Sequence, residues 1–299
     1  MITNLTPTSA IFLANVNRLE QSLADANSEV SSGKKVNVAS DDPGQIQALL
    51  QLRTDEQQNT QIQSNLNSAT ADADSADSAL GSAIQLMDNA VSLATQGASA
   101  TTTASSRQDI AQEIAGIQAE MVSISQTQVQ GRYIFSGDRE NSPTYQLDLT
   151  ATTGVDLLSN APATRQVQDP EGGTFTASET AYQIFDAPGA SVFAALNSLR
   201  LNLLGNNQTG ITNALAALQT ASSHLNTMEA FYGNVEDRID NSNTFANQYD
   251  TQLKTAISNI QDADAASAAL QLTQSNTALQ AAFQAEGKMP TTSLFNYLG

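Results

Sequence analysis

Three groups of residues in this chain have types and spacing that could do chemistry. Asp72, Asp74 and Asp77 are spaced like the oxygen ligands of a calcium loop. Such a loop needs a glycine at its sharp turn and a distal glutamate to close the coordination shell, and neither follows here. On a helix only residues three or four apart share a face, so the trio reads as a solvated helix face. His224 is the only histidine, with Ser222 and Ser223 beside it. A histidine-based triad needs a nucleophile held on a turn and an acid that orients the ring. No glycine-rich turn surrounds these serines, and zinc would need further nitrogen or sulfur ligands, so His224 reads as structural. Asp262 and Asp264 interrupt an apolar seam. That fits a helix break with an aspartate cap, and it also fits a hinge; the two readings are compatible, because a break in a seam is where motion is cheapest. No phosphate-binding glycine loop, Cys-x-x-Cys or zinc-protease motif occurs. The expectation is a protein with no catalytic residue, metal or cofactor, and not an enzyme.

The elements that would position these residues are long helices. Phe12, Val16, Leu19, Leu23, Ala26 and Val30 follow the alternating four- and three-residue spacing of an apolar seam, which stops at Ser31-Ser32-Gly33. A second helix opens at Asp42-Pro43, where Asp42 can cap, Pro43 suits the first helical position and Gln45 can reach back. Its seam runs from Ile62 through Leu66, Ala69, Ala73, Ala76, Leu80, Ile84, Met87 and Val91 to Ala94. From Gly44 to Gln96 it would extend for about 80 Å at ~1.5 Å per residue. A third helix begins around Ser105 and carries Ile110, Ile114, Ile117, Met121 and Ile124 toward Gly131. The short connection implies that it folds back antiparallel.

From Tyr133 onward the pattern changes. Tyr145, Leu147 and Leu149, then Phe175, then Tyr182 and Ile184 alternate with polar residues, and Pro and Gly cluster between 137 and 190. This predicts a small β-rich insert. Helix returns over Val192–Leu204 and again from Ile211 to Ile260, falters at Asp262-Ala263-Asp264, and resumes through Leu272, Leu279 and Phe283 to Gly287. The fold class expected is mainly α: long antiparallel helices in a coiled-coil-like bundle built from both chain ends, with a small β-rich middle domain inserted. The division expected is 1–41 with 262–299 as terminal helices, 42–136 with 190–261 as the long-helix bundle, and 137–189 as the outer insert.

Composition narrows the function. Charged residues make up 14%, aromatics 5%, and there is neither Trp nor Cys. An ordinary globular enzyme of this length has more large apolar residues for a thick core, whereas this chain can make long helices that bury narrow stripes. A net charge of −18 with only 12 basic residues argues against a nucleic-acid partner, because phosphate binding needs a Lys/Arg surface, and disfavours anionic membranes. Absence of cysteine excludes disulfides and thiolate metal sites. The N-terminal segment lacks the basic start and apolar run of a Sec-type signal, and no stretch is apolar enough to span a bilayer.

Two segments resemble a known family. SSGKKVNVASDDP, Ser31 to Pro43, resembles the N-terminal signature of bacterial flagellins, and AISNIQDADAASAA, Ala256 to Ala269, resembles their C-terminal pattern of an Ile followed by an acidic pair. Within that superfamily, QGRYIFSGDREN (Gln130 to Asn141), the ending SLFNYLG and the short single insert look more like the hook–filament junction branch than like flagellin itself. Junction members commonly end in Ser-Leu-Phe-Asp-Tyr-Leu, where this chain has Asn296. The resemblance implies a structural subunit of the flagellum, secreted by type III export without a cleaved signal and served by an export chaperone. It implies a homo-oligomeric ring with hook-associated protein on one side and flagellin, whose polymerisation it would template, on the other.

The terminal seams have too little intramolecular cover. Phe12, Val16, Leu19, Leu23, Leu272, Leu279 and Phe283, with the apolar knot Leu294, Phe295, Tyr297 and Leu298, are therefore the expected subunit interface. Both ends should be poorly ordered until neighbouring subunits cover them. Gly33, Asp41, Asp42, Asp262 and Asp264 are the expected hinge. Flagellin of the same fold is the alternative function; an adhesin-type module in the insert is a third, which would need an aromatic-rich pocket that the insert does not supply.

Overall fold

A computed structural model of the chain describes residues 7–159 and 163–288. It is mainly helical, in the order α1 (Pro7–Ser32), α2 (Ile46–Ala98), α3 (Ala104–Ser125), α4 (Ala181–Phe185), α5 (Val192–Leu204), α6 (Gln208–Gln261) and α7 (Ala265–Glu286). Between α3 and α4 lie three antiparallel hairpins, each a separate two-stranded sheet: β1 (Gln128–Val129) with β2 (Arg132–Tyr133), β3 (Tyr145–Leu147) with β4 (Val155–Leu157), and β5 (Gln166–Gln168) with β6 (Thr174–Thr176). The expected long helices and β-rich middle region are both present. The chain divides into two compact units, residues 59–248 and residues 1–58 with 249–299.

The unit 59–248 holds the main core. The expected seam of α2 is buried from Leu66 through Ala69, Ala73, Ala76, Leu80 and Met87 to Ala94, and α3 covers it with Ile110, Ile114, Ile117 and Met121. Small alanines let α2 and its neighbours approach closely, and the bulk comes from the other side: Leu218, Leu225, Tyr232 and Ile239 of α6, and Phe193, Leu196 and Leu199 of α5. Phe135, Phe185 and Phe193 pack with Tyr145 and Tyr232 at ring separations of 4.8–6.3 Å. Five of the 15 aromatics are thus gathered where the insert meets the helices.

Local chemistry explains several departures from the sequence reading. Helix α3 is capped by Thr103, whose side chain accepts from the Ser106 amide, and it ends at Ser125, before the β1–β2 turn rather than at Gly131. That turn places Gln130 and Gly131 at φ +53° and +78°, the left-handed pair that a two-residue hairpin needs. Tyr182 and Ile184 belong to helix α4 and not to a strand. Thr180 and Gln183 form a reciprocal capping box there, a Thr-x-x-Gln signal that outweighs a short alternation.

Asp72 corrects the picture of a solvated aspartate trio. Its side chain is 12% exposed and pairs with Arg132 and Arg165. Arginines some 60 and 93 positions away in sequence reach it only because the insert folds back onto α2. His224 is a structural tie as expected: its Nε2 lies 2.8 Å from the Gln183 carbonyl, joining α6 to α4.

Candidate assembly surface

The second unit contains α1 and α7, which pack against each other. Where they meet, the buried residues are small or narrow: Val16 and Ala26 on α1, Ala268 and Ser275 on α7. Ser22 and Ser275 hydroxyls lie 3.1 Å apart across the pair. Close approach over small residues leaves the larger side chains at the flanks. Leu19, Leu23, Leu272 and Leu279 are half-buried, as is Phe12, which meets Phe283 edge-on at 6.4 Å.

The pair therefore presents uncovered apolar surface. Phe283 is 52% exposed, Ile11 64% and Leu270 59%, and Leu13 and Val30 are also exposed. One helix can cover only one stripe of another, and the rest must face water or a partner. Of the expected interface residues, Val16 is committed to the intramolecular contact and Phe283 is the most open. Ile11, Leu13 and Leu270 lie off the four–three seam; only their apolar character outside that periodicity could have pointed to them. Leu294, Phe295, Tyr297 and Leu298 lie outside the described residues.

The five expected hinge residues lie on two segments, 33–42 and 262–264, that backbone hydrogen bonds join at a crossing. Gly33 closes α1 at φ +69°, a conformation that a side chain disfavours. Its carbonyl accepts from the Ala263 amide at 3.0 Å, and the Lys35 amide donates to the Gln261 carbonyl at 2.7 Å. Lys34 and Asp262 are thereby paired as an antiparallel bridge. Asp41 accepts from the amides of Asn37 and Val38, both at 2.8 Å, and so folds the 37–41 loop into a tight turn. Asp42 accepts from the Gly44 and Gln45 amides at 3.2 Å and from Gln45 Nε2 at 2.9 Å, which organises the entry to α2. Asp264 caps α7, accepting from the Ala266 and Ser267 amides at 2.9 and 3.3 Å. The Ser267 amide first, then that of Ala266, holds the Asp264 carboxyl below the usual carboxylate range.

Sequence reading missed the residue at the centre of this crossing. Gln261 is buried; its Nε2 donates to the Val36 carbonyl at 3.3 Å, and its Oε1 accepts from Arg53 of α2 at 2.9 Å. The crossing joins α1, the 33–42 loop, α2, and the break between α6 and α7 by backbone and amide hydrogen bonds. Among the described residues, no group of three acidic or histidine side chains is placed to hold a metal ion, and no helix is long and apolar enough to cross a membrane.

Comparison with known proteins places both ends of the chain. The helical N-terminal region of bacterial flagellin matches residues 3–140, and the helical C-terminal region of bacterial flagellin matches residues 215–298. Flagellin A of Rhizobium meliloti is 23% identical over 175 residues, 58% of this chain and 43% of that protein, so the match spans less than half the length of this relative. Among solved structures, a Vibrio parahaemolyticus protein assigned as a flagellar hook-associated protein superposes with a TM-score of 0.65 at 19% identity, over 74% of this chain and 100% of that one. The flagellar junction protein FlgL from Legionella pneumophila superposes at 0.55 and 12% identity, over 66% and 100% respectively. These structural likenesses are likenesses of fold.

Proposed function

Because this chain belongs to the bacterial flagellin family at both of its ends, we propose that it is a non-enzymatic structural subunit of the flagellum that forms the ring joining hook to filament. The observation that carries the reading is the open α1–α7 pair. Ile11, Leu13, Leu270 and Phe283 form a surface that a single copy leaves uncovered and that a ring of copies would bury. Junction rather than filament is favoured by extent. The solved hook-associated and junction structures superpose over their whole length on this chain. The ending SLFNYLG adds to this.

In this reading the terminal segments 1–41 and 262–299, which carry α1 and α7, belong to the inner tube. Residues 42–136 with 190–261 are the long-helix bundle, and residues 137–189 are the outer insert. The crossing at Gly33, Asp41, Asp42, Asp262 and Asp264 is the pivot at which the terminal pair takes its assembled angle. Hook-associated protein lies on one side of the ring and flagellin on the other, and the subunit reaches its place by type III export with an export chaperone.

Deleting the gene in its host tests the reading. Cells that keep hooks and shed unpolymerised flagellin into the medium would support it. If the deletion instead removes the main filament protein itself, the junction role is wrong and the chain is a filament flagellin.

A further inference from the structure

Arg132, on β2, and Arg165, at the entry to β5, converge on the same two carboxylates. Arg132 donates to Asp72 at 3.4 Å and to Glu140 at 3.2 Å, and Arg165 donates to both as well. Four charges therefore alternate around a closed ring whose members come from α2, the β1–β2 hairpin, the turn after it and the β5–β6 hairpin. All four side chains are less than one-third exposed. Burial opposes ionisation of Glu140, but hydrogen bonds from Arg165 and Arg132, with their charges, outweigh it and hold its carboxyl below the usual range.

The β5–β6 hairpin depends on such an attachment. Its strands pair over three positions and join no other sheet, and an isolated hairpin of this size is marginal in water. Its other anchors are Val167 and Phe175, buried beneath it, the Arg238 guanidinium 4.4 Å over the Phe175 ring, and a 3.3 Å bond from the Ser242 hydroxyl to Asp169. The neighbouring β3–β4 hairpin is held differently. Tyr145 packs 4.8 Å from Phe193, while Gln118, Asn197 and Arg200 donate to the carbonyls of Thr153, Thr152 and Leu149 at 2.7–3.0 Å. No ion pair is among those contacts.

We propose that the Asp72–Arg132–Glu140–Arg165 ring is a releasable clasp, and that residues 163–178 form a charge-held strap that opens as a unit while the rest of residues 59–248 stays folded. An apolar contact of equal area would hold the hairpin at least as well, since buried ion pairs gain little net stability over hydrophobic packing. What charges add is sensitivity: the contact weakens with salt and fails when one partner is lost. The chain has 12 basic residues against 30 acidic ones, so removing either arginine leaves Asp72 and Glu140 facing each other with one cation between them. Under the strap lie Ala69, Ala76, Ile134 and Tyr232, an apolar face that opening would uncover.

Hydrogen exchange on the full chain, read by mass spectrometry, tests this. The wild type at low salt and at ~1 M salt, where charges are screened beyond ~3 Å, is compared with Asp72→Asn, Arg165→Gln and the double variant. Amides of Gln166–Thr176 should exchange about tenfold faster in each single variant, and no faster in the double, because ring members act together. High salt should move the wild type in the same direction. Amides of β3–β4, α3 and α5 should not change. Arg165→Lys, which keeps the charge but loses the fork, should fall between the wild type and Arg165→Gln. An equal rise across β3–β4 and α5 would reduce the ring to general packing. Unchanged exchange over 166–176, or additive effects in the double variant, would refute the clasp.

Discussion

Residues 59–248 bury Phe135, Phe185, Phe193, Tyr145 and Tyr232 in one core with the leucines and isoleucines of α2, α3, α5 and α6. Residues 1–58 with 249–299 bury Val16, Ala26, Val36, Leu49, Leu253 and Ala268, and they leave Ile11, Leu13, Leu50, Leu270 and Phe283 largely in water. Both draw on the same sparse supply of large apolar residues, and the difference lies in how these are spent in space. Where three or more helices and an insert surround a seam, the large side chains that line it find partners, and Leu147, Leu157, Leu158, Leu201, Leu204 and Phe245 of this unit stay exposed outside that core. Where α1 meets α7, the buried residues are Val16, Ala26, Ala268 and Ser275. The first arrangement covers its own seam, and the second leaves Ile11, Leu13, Leu270 and Phe283 exposed among the described residues.

The sharpest way to break that comparison is to remove one phenylalanine from each unit. Phe193→Ala should cost about 3–5 kcal/mol, because a fully buried ring leaves a cavity that its neighbours cannot fill. Phe283→Ala, at a half-exposed ring, should cost the isolated chain less than about 1 kcal/mol. Urea unfolding measures both. In ring assembly the order should reverse, with Phe283→Ala deficient in co-assembly with hook-side and filament-side proteins. Equal stability losses would show that the α1–α7 pair is not short of cover.

Arginine does part of the work that aromatics do elsewhere. Arg107 is buried and donates to the carbonyls of Gly97 and Ser99 at 2.8 and 2.9 Å and to the Asn206 side chain, tying the α2–α3 turn to the α5–α6 turn. Arg200, Arg53, Arg132, Arg165 and Arg238 are likewise committed to cross-element contacts. Arg107→Met keeps the length but orphans three acceptors, and should cost about 2–3 kcal/mol in thermal or urea unfolding. A loss below ~0.5 kcal/mol would mean that water replaces the guanidinium at no cost.

This also marks what the sequence could and could not reveal. The seams of α1, α2, α3 and α6 were legible because periodicity is local, and so were the stops at Gly33 and Gly287 and the break at Asp262–Asp264. The expected interface seam was legible as a seam, but Ile11, Leu13 and Leu270 were not, since exposure depends on how few neighbours a helix has. The clasp on Asp72 and the role of Gln261 were invisible: their partners lie 60 to more than 200 positions away, and nothing in the spacing of one helix announces them. Thr180-x-x-Gln183 was legible in principle and was masked by a competing two-residue alternation.

A smaller effect is expected at Gly154, in the loop before β4. Its φ is +76°, and a methyl group there would overlap the Gln118 side-chain amide that holds the Thr153 carbonyl. Gly154→Ala should cost about 1–3 kcal/mol, from backbone strain and loss of that grip. Unfolding midpoints measure it, and exchange over β3–β4 locates it. If β5–β6 loosens instead, the two hairpins are coupled rather than separately held.

The smallest effect separates the units by their response to acid. Asp264 is fully solvent-facing, and its carboxyl is held below the usual range by the amides at the start of α7. A depressed folded-state value means that the capping contribution is complete above the ordinary carboxylate range and is lost as pH falls through that folded value. Helicity over Ala265–Glu286, followed by amide chemical shifts of Ala266 and Ser267, should therefore decline on acidification. Asp264→Asn keeps a capping acceptor but cannot titrate, so its shifts should stay flat through the same range. The core amides of α3 have no such cap: Thr103 is uncharged, and its bond to Ser106 should not respond. If Asp264→Asn follows the wild type, another group drives the change, and the break at Asp262–Asp264 is held by the Gly33–Ala263 backbone bridge rather than by the cap.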